Sequence, residues 1–166
     1  MKKVAVIMGS DSDWPQMKAC CQQLEEFGIP FEAHILSAHR SPDRAAFFAR
    51  TARERDVGVI ICAAGLAAHL AGAMAANTTL PVIGIPMKGG ALDGLDALLS
   101  TVQMPSGIPV ATVALGGAKN AAILAAEILA VTEEELHQKL RAAREEMSEQ
   151  ITQKEQRLQQ ELGAQA

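Results

Sequence analysis

Small hydroxyl and acidic residues follow the first short apolar run of the chain, in the segment GSDSD at positions 9–13. A predicted helix begins directly after this segment, and the free N–H groups and dipole of a helix start favour an anion. The segment matches neither G-x-G-x-x-G nor G-x-x-x-x-G-K-[ST], so it indicates a single phosphate rather than a dinucleotide or a triphosphate. Ser10 and Ser12 are candidate phosphate ligands. Asp13 has two interpretations that spacing leaves open: it caps the helix, or it holds the ribose hydroxyls of a sugar phosphate.

A second polar segment, SAHRSPD at positions 37–43, also lies between an apolar run and a helical pattern. Arg40 suits the same phosphate, because its planar guanidinium presents several donors in a fixed fork. His39 stands beside it in a loop expected at the ligand edge, which favours acid–base chemistry. A structural or merely exposed histidine is the alternative of equal weight.

The chain has four histidines, and one more lies in a loop that could carry chemistry. His69 falls within AAGLAAHLAG at positions 63–72, where small residues allow the backbone to approach a ligand. A buried, hydrogen-bonded histidine is an equally good interpretation of this residue. His34 lies inside an apolar run and His137 lies on a charged helix, so a structural or solvent-exposed role is expected for both.

Metal binding and thiol chemistry find little support in the sequence. It contains no H-x-x-x-H, no C-x-x-C and no cluster of carboxylates, so no metal and no cofactor is expected. Cys20 and Cys21 fall on the first predicted helix as core residues, and Cys62 ends an apolar run that would raise its pKa. An odd number of cysteines, two of them adjacent, is no disulfide framework, so reduced thiols and a cytoplasmic protein are expected.

Composition excludes several classes of protein. The 166 residues fit one domain, and 49% hydrophobic with 20% charged residues is typical of a globular chain. A net charge of -4 and only 3% aromatic residues argue against nucleic acid as a partner. No stretch approaches the roughly 20 apolar residues of a membrane span, and the apolar run at the N-terminus is too short for a signal peptide.

The candidate loops depend on a regular alternation of short apolar runs with longer helical patterns. This alternation predicts a three-layer, doubly wound α/β domain with a parallel sheet buried on both faces. Such sheets bind ligands at the carboxyl ends of their strands. The predicted strands are residues 4–8, 31–36, 57–62, 81–85 and 110–115. The predicted helices are residues 14–27, 43–55, 67–76, 92–103 and 120–130.

The last 35 residues differ in composition and predict one long helix. Thr132 and Glu135 have capping-box spacing, and the helix is expected to run to about residue 162. Its apolar residues form a stripe of coiled-coil width: Leu136, Leu140, Ala143, Met147, Ile151, Leu158 and Leu162. We expect residues 1–131 to form the catalytic domain and residues 132–166 to lie across a neighbouring subunit; the alternative is a solvated helix on its own domain. The preceding helix, apolar nearly all round, also favours a homo-oligomer.

Six segments, in order along residues 3–130, resemble the PurE family of N5-carboxyaminoimidazole ribonucleotide mutases of purine biosynthesis. They are GSDSDW (9–14), SAHRSP (37–42), AAHL (67–70), LPVIGIP (80–86), LDALLS (95–100) and VQMPSGIPV (102–110). The resemblance implies a flavodoxin-like fold and an octamer. It also implies transfer of a carboxylate from the exocyclic nitrogen of the imidazole to a ring carbon, without metal, ATP or biotin.

The same resemblance implies roles for individual residues. Ser10, Asp13 and Arg40 would bind the substrate, with Asp13 on the ribose. Ser12 and Ser37 would assist at the phosphate.

His39 would be the catalytic acid and base. It would supply a proton while the carbamate loses CO2, and it would remove the ring proton after CO2 adds to the ring carbon. Gly65, His69 and Leu70 would contact the substrate, and their loop, with residues 103–105, would wall the pocket for the base and CO2.

The third loop departs from the usual family pattern G-A-G-G-A-A-H-L-P-G. Ala63, Leu66 and Ala71 stand in place of two glycines and a proline. If the glycine at position 66 requires a positive φ, the leucine costs roughly 1 kcal/mol in strain and intrudes on the pocket. Altered or weakened activity is the corresponding expectation.

Two other functions fit the same loops. A direct carboxylase would join free CO2 to aminoimidazole ribonucleotide, but that branch of the family usually carries lysine at the position of Arg40. A nucleotide or phosphate sensor on the same fold would need no acid–base histidine. A receiver domain is the obvious sensor of this kind, but the third strand ends in Cys62 and Ala63 with no aspartate to accept a phosphoryl group.

Overall fold

The computed structural model describes residues 1–164 of the chain. It contains five strands: β1 Lys3–Met8, β2 Phe31–Ile35, β3 Val57–Ala64, β4 Val82–Pro86 and β5 Ala111–Thr112. The six α-helices are α1 Trp14–Phe27, α2 Pro42–Thr51, α3 Leu70–Ala75, α4 Leu95–Val102, α5 Ala118–Ala130 and α6 Glu134–Gly163. Short 3-10 turns lie at Asp11–Asp13 and Arg53–Arg55.

The sheet is parallel throughout and has the strand order β2-β1-β3-β4-β5. The order reverses between β1 and β3, which is the switch point of a doubly wound sheet. Helices cover both faces, with α1, α5 and the start of α6 on one side and α2, α3 and α4 on the other. The predicted three-layer α/β class is therefore confirmed.

Alternation along β1 explains how one strand supplies both layers of core. Val4 and Val6 point into the cluster under α1 and α5, whereas Ala5 and Ile7 point into the cluster under α2 and α3. All four side chains are fully buried. Successive side chains of a strand point to opposite faces, so a continuous apolar run is what a strand covered on both faces requires.

The fifth strand is much shorter than the predicted range of residues 110–115. Only Ala111 and Thr112 pair with β4, and Pro109 has no N–H to extend the pairing backwards. After Val113, whose N–H donates to the carbonyl of Gly84 at 3.1 Å, the chain turns towards α5. The apolar residues at positions 110–115 are explained by partial burial at the sheet edge rather than by strand pairing.

Three helices differ from their predicted bounds by three residues or more. The predicted helices 67–76 and 92–103 begin three residues later, at Leu70 and Leu95, because tight turns with positive φ at Leu66, Asp93 and Gly94 precede them. The predicted helix 43–55 ends as α-helix at Thr51 and continues as a 3-10 turn. The first helix has its predicted bounds, and Gly28 ends it in the left-handed conformation with φ 72°.

Both predicted capping interactions are absent. Asp13 occupies the residue before α1, but its carboxylate makes no capping hydrogen bond; Ser10 instead caps the preceding 3-10 turn by accepting from the N–H of Ser12. At the other end of the chain, α6 is preceded by Glu133 rather than Thr132. The Thr132 hydroxyl donates backwards to the carbonyl of Leu129 at 3.4 Å, so no capping box forms.

Helix α6 is anchored by its first turns. Leu136 and Leu140 are buried against α5, and Lys139 donates to the carbonyl of Phe27 at 2.8 Å. From Met147 onwards the apolar stripe is exposed. The predicted extension ends at residue 166, so its last two residues lie outside the described part of the chain.

The burial of α5 does not require a second subunit. Its alanines and Leu129 are enclosed between the sheet, α1 and the start of α6. α6 folds back over this helix and supplies burial beyond the sheet face within the chain itself, so the homo-oligomer stays a prediction. Within residues 1–164, none of the helices combines the length and the apolar character that crossing a bilayer would require.

Gly84 tests how tightly the sheet and α4 pack. A Cβ atom built at this position would lie 2.4 Å from Cγ2 of Thr101 and 3.2 Å from Cβ of Ala71. We expect Gly84→Ala to lower the free energy of unfolding by about 1–3 kcal/mol through overpacking. Urea denaturation measures the change. Gly163→Ala, with nothing within 4 Å of the new atom, is the matched control and should leave the midpoint nearly unchanged; equal stability of both variants would contradict the packing described.

Candidate functional site

The register of the sheet brings four loops to one edge. Met8 pairs with Ile35 on one side and with Ala63 on the other, and Ala64 pairs with Pro86. The loops after β1, β2, β3 and β4 therefore start side by side and enclose a cleft of about 740 Å³. All nine residues predicted for the site line this cleft: Ser10, Ser12, Asp13, Ser37, His39, Arg40, Gly65, His69 and Leu70.

The loop after β1 presents hydroxyl groups at the start of α1. The Ser10 hydroxyl accepts from the N–H of Ser12 at 3.3 Å and from the Ser12 hydroxyl at 3.0 Å. Both serines thus stand close together next to the 3-10 turn that leads into the helix. Such an arrangement of hydroxyl and N–H donors suits an anionic oxygen.

The Asp13 carboxyl group faces a partly enclosed environment. Burial raises its pKa above the usual range, a hydrogen bond from the Ser10 backbone opposes the shift, and the charge of Asp11 adds to it. Because the carboxyl group is not used as a helix cap, it is available to a ligand in the cleft. The capping interpretation is therefore not supported, and the contact with ribose hydroxyls stays a prediction.

The loop after β2 is a tight turn that carries His39 and Arg40. The Ser37 hydroxyl accepts from the N–H of Arg40 at 3.1 Å, and the Ser37 carbonyl accepts from the N–H of Ser41 at 2.9 Å. The Arg40 guanidinium donates to the carbonyl of Gly9 at 3.4 Å and so reaches the loop after β1. Among residues 1–164 the His39 imidazole makes no hydrogen bond, and it is exposed towards the cleft.

The loop after β3 holds Leu66 in a conformation that glycine favours. Its φ is 58°, and the N–H of Ala68 donates to its carbonyl at 2.7 Å in a narrow turn. The side chain is 61% exposed and reaches the loop after β4, where a Cβ atom at Gly90 would lie 2.6 Å from its Cδ2 atom. The expected positive φ and intrusion on the pocket are both present. The absence of a side chain at position 90 makes room for the leucine.

His69 is held by the two helices behind the cleft. Its Nδ1 atom lies 3.4 Å from the carbonyl oxygen of Ser100, and its ring lies so close to Gly72 that a Cβ there would be 2.4 Å away. The Ser100 hydroxyl donates to the carbonyl of Ala68 at 2.9 Å, which fixes α4 to the same loop. The histidine is exposed and lines the cleft, so it combines a packing role with access to a ligand.

Sequence reasoning missed one wall of the cleft. Met87, Lys88 and Gly89, directly after β4, line it. Their position after a predicted strand was the available signal, since that strand ends at the same edge as the others. The segment 103–105, predicted to wall the pocket, is not among the residues that line the cleft in the described chain.

The cysteines lie in the core and not in the cleft. Burial raises the pKa of Cys20 to about 12 and also raises that of Cys62, which is fully enclosed at the end of β3. The predicted direction for Cys62 is thus confirmed. Within the described 164 residues there is no group of three or more His, Cys, Asp or Glu side chains that could hold a metal ion.

Comparison with known proteins gives a consistent picture. A family model described as AIR carboxylase matches residues 3–150. The chain is 56% identical over 160 residues to the N5-carboxyaminoimidazole ribonucleotide mutase of Pyrococcus horikoshii, covering 96% of this chain and 90% of that one. It is 54% identical over 160 residues to the mutase of Thermotoga maritima, covering 96% and 94% of the two chains.

Solved structures agree with these relatives. The crystal structure of Treponema denticola PurE has a TM-score of 0.86 to this chain at 28% identity, and the match covers 93% of this chain and 97% of that one. The flavodoxin-like form of the three-layer fold is therefore confirmed.

The conformation of Leu66 can be tested by comparing two substitutions at that position. We expect Leu66→Gly to have a free energy of unfolding about 1 kcal/mol higher than Leu66→Ala, because only glycine relieves the cost of positive φ. Thermal and urea denaturation measure the difference. At the neighbouring Ala67, which is exposed and has no positive φ, Ala67→Gly should instead lower stability by about 0.5 kcal/mol. A Leu66→Ala variant as stable as Leu66→Gly would contradict the left-handed conformation.

Proposed function

The chain belongs to the AIR carboxylase family and is an isomerase of purine biosynthesis, and from this premise we propose its substrate and mechanism. It moves the carboxylate of N5-carboxyaminoimidazole ribonucleotide from the exocyclic nitrogen to the ring carbon. The product is 4-carboxy-5-aminoimidazole ribonucleotide. The observation that carries the proposal is the meeting of His39, Arg40, Asp13 and the two serines in one cleft.

The phosphate and ribose of the substrate bind where the loops after β1 and β2 meet. Arg40 already bridges these loops through the Gly9 carbonyl, and the hydroxyl groups of Ser10 and Ser12 are 3.0 Å apart beside it. A phosphate that binds here accepts hydrogen bonds from the Arg40 guanidinium, which gives up only its long hydrogen bond to the Gly9 carbonyl. Ser37, which fixes the turn of Arg40, assists indirectly, and Asp13 holds the ribose hydroxyls.

His39 acts as both acid and base in the proposed mechanism. The N–C bond of the carbamate breaks, its electron pair returns to the exocyclic nitrogen, and His39 gives a proton to that nitrogen as CO2 forms. The ring carbon then attacks the retained CO2, and His39 takes the ring proton. One proton is given and one is taken, so the isomerisation balances without any other reactant. An imidazole suits this exchange because both of its protonation states are accessible near neutral pH.

The opposite wall of the cleft encloses the imidazole and the CO2. Leu70 is 3% exposed and packs beside Gly9, and Gly65 and His69 flank it in the loop after β3. Leu66 extends this wall across the mouth to Gly90. An apolar wall of this kind limits the access of water to the retained CO2.

A transfer assay with a histidine variant tests the proposal. We expect the unmodified protein to convert N5-carboxyaminoimidazole ribonucleotide to the ring-carboxylated product. His39→Asn should lower the rate by a factor of about 10²–10⁴, the usual contribution of a positioned acid–base group, while product binding measured by calorimetry stays within a few-fold. His137→Asn, at an exposed site on α6, is the matched control and should keep full activity.

The two alternative functions give different results in the same experiment. A direct carboxylase would act on aminoimidazole ribonucleotide and free CO2 and would show no transfer from the carbamate. A sensor would bind ribonucleotides with no turnover of either substrate. Full activity of His39→Asn would contradict the proposed role of this residue.

We also propose that the protein acts as a homo-oligomer, with an octamer as the expected form, in the reducing environment of the cytoplasm. Two apolar stripes support association. One runs along the exposed part of α6 through Met147 and Ile151. The other lies on and before α4 and comprises Leu92, Leu95, Leu99 and Val102, all between 47% and 59% exposed. Exposed apolar groups of this extent are typical of subunit contacts.

The stripe on α6 can be disrupted without touching the domain core. We expect Met147→Glu combined with Ile151→Glu to reduce the particle mass measured by sedimentation equilibrium, because two buried charges at an interface oppose association. Gln153→Glu, exposed and outside the stripe, is the control and should leave the mass unchanged. An unchanged mass for the double variant would exclude residues 132–166 from the subunit contact.

A further inference from the structure

The cleft contains a second cationic side chain that has no role in the mechanism described above. Lys88 follows β4 and lines the cleft together with Arg40, which follows β2. Asp13 is the one carboxylate among the lining residues of the described chain. Two cations stand against one carboxylate in the lining. The partner of Lys88 outside the lining, Asp93, is held only by an exposed ion pair, so the cleft favours anions.

The sheet places the two cations at opposite ends of the cleft. β1 and β3 lie between β2 and β4, and three strand spacings put the ends of β2 and β4 about 14 Å apart. Arg40 reaches towards Gly9 on the β1 side, whereas Lys88 belongs to the loop on the far side of β3. One phosphate therefore does not engage both side chains at once.

The proposed substrate and product are themselves anionic at both ends. The phosphate lies at one end, and the carboxylate carried by the imidazole lies at the other. We propose, on the basis of the proposed function, that Lys88 binds this carboxylate and so distinguishes carboxylated ribonucleotides from the decarboxylated one. The residue is a specificity determinant at the imidazole end, and it holds the carboxylate group on either side of the transfer.

The resting position of Lys88 supports this role. Its Nζ atom lies 3.4 Å from Oδ2 of Asp93, and both side chains are more than 60% exposed. An exposed ion pair of this kind is weak and exchanges readily for another anion. Gly89, Gly90 and Asp93 all have positive φ. These residues turn the loop so that the side chains of Lys88 and Asp93 meet.

Two ligands that differ only in the carboxylate test the inference by calorimetry. Lys88→Met should weaken binding of 4-carboxy-5-aminoimidazole ribonucleotide about ten- to hundredfold, the loss expected for one hydrogen bond to a charged group. Binding of aminoimidazole ribonucleotide should change less than twofold, which also shows that the variant is folded. Lys119→Met, an exposed lysine outside the cleft, should affect neither ligand.

A second variant separates the charge of the lysine from the integrity of its loop. Asp93→Asn removes the competing partner and should tighten binding of the carboxylated ligand by up to about fivefold. Equal losses for both ligands in Lys88→Met, no loss for either, or a loss in Asp93→Asn as large as in Lys88→Met would each overturn the inference. Failure of the unmodified protein to bind either ribonucleotide would instead overturn the proposed function on which it rests.

Discussion

The parallel register of β1 to β4 is the constraint on which the candidate site depends. Because Met8, Ile35 and Ala63 lie in one row, the loops that follow them begin about one strand spacing, roughly 5 Å, from their neighbours on the sheet. Apolar side chains on both faces of β1 and β3 hold this row in place, and they are almost completely buried. A shift of one residue in β1 would exchange its two buried faces and separate Ser10 from Arg40. The packing of the core therefore also determines the geometry of the cleft.

Backbone strain is concentrated around the cleft. Three residues other than glycine have positive φ within residues 1–164, and two of them, Leu66 and Asp93, lie in the loops after β3 and β4. Strained residues persist where surrounding contacts fix them, and they often occur at functional sites. Gly90 compensates for the side chain of Leu66. Because position 90 has no side chain, the leucine fills the space that one would occupy. The altered loop thus has a partner within the chain, so the leucine need not disrupt the cleft.

Sequence alone predicted the first four strands and α1 well, because continuous apolar runs between turn residues have few other interpretations. It also predicted which residues meet, since strand ends in a parallel sheet share an edge. It failed where tertiary contacts decide: β5 shortens at the sheet edge, and α3 and α4 start late after strained turns. Lys88 was missed because a single lysine carries no motif, and its position after a predicted strand was the one signal that could have found it.

The position of the ribonucleotide is the central claim, and a crystal structure of the complex with 4-carboxy-5-aminoimidazole ribonucleotide tests it most directly. We expect the phosphate to contact Ser10 and Arg40. The imidazole of the ribonucleotide should lie within about 3.2 Å of the His39 ring, or be linked to it through one water molecule. A phosphate bound at another edge of the sheet, or an imidazole turned away from His39, would contradict the account.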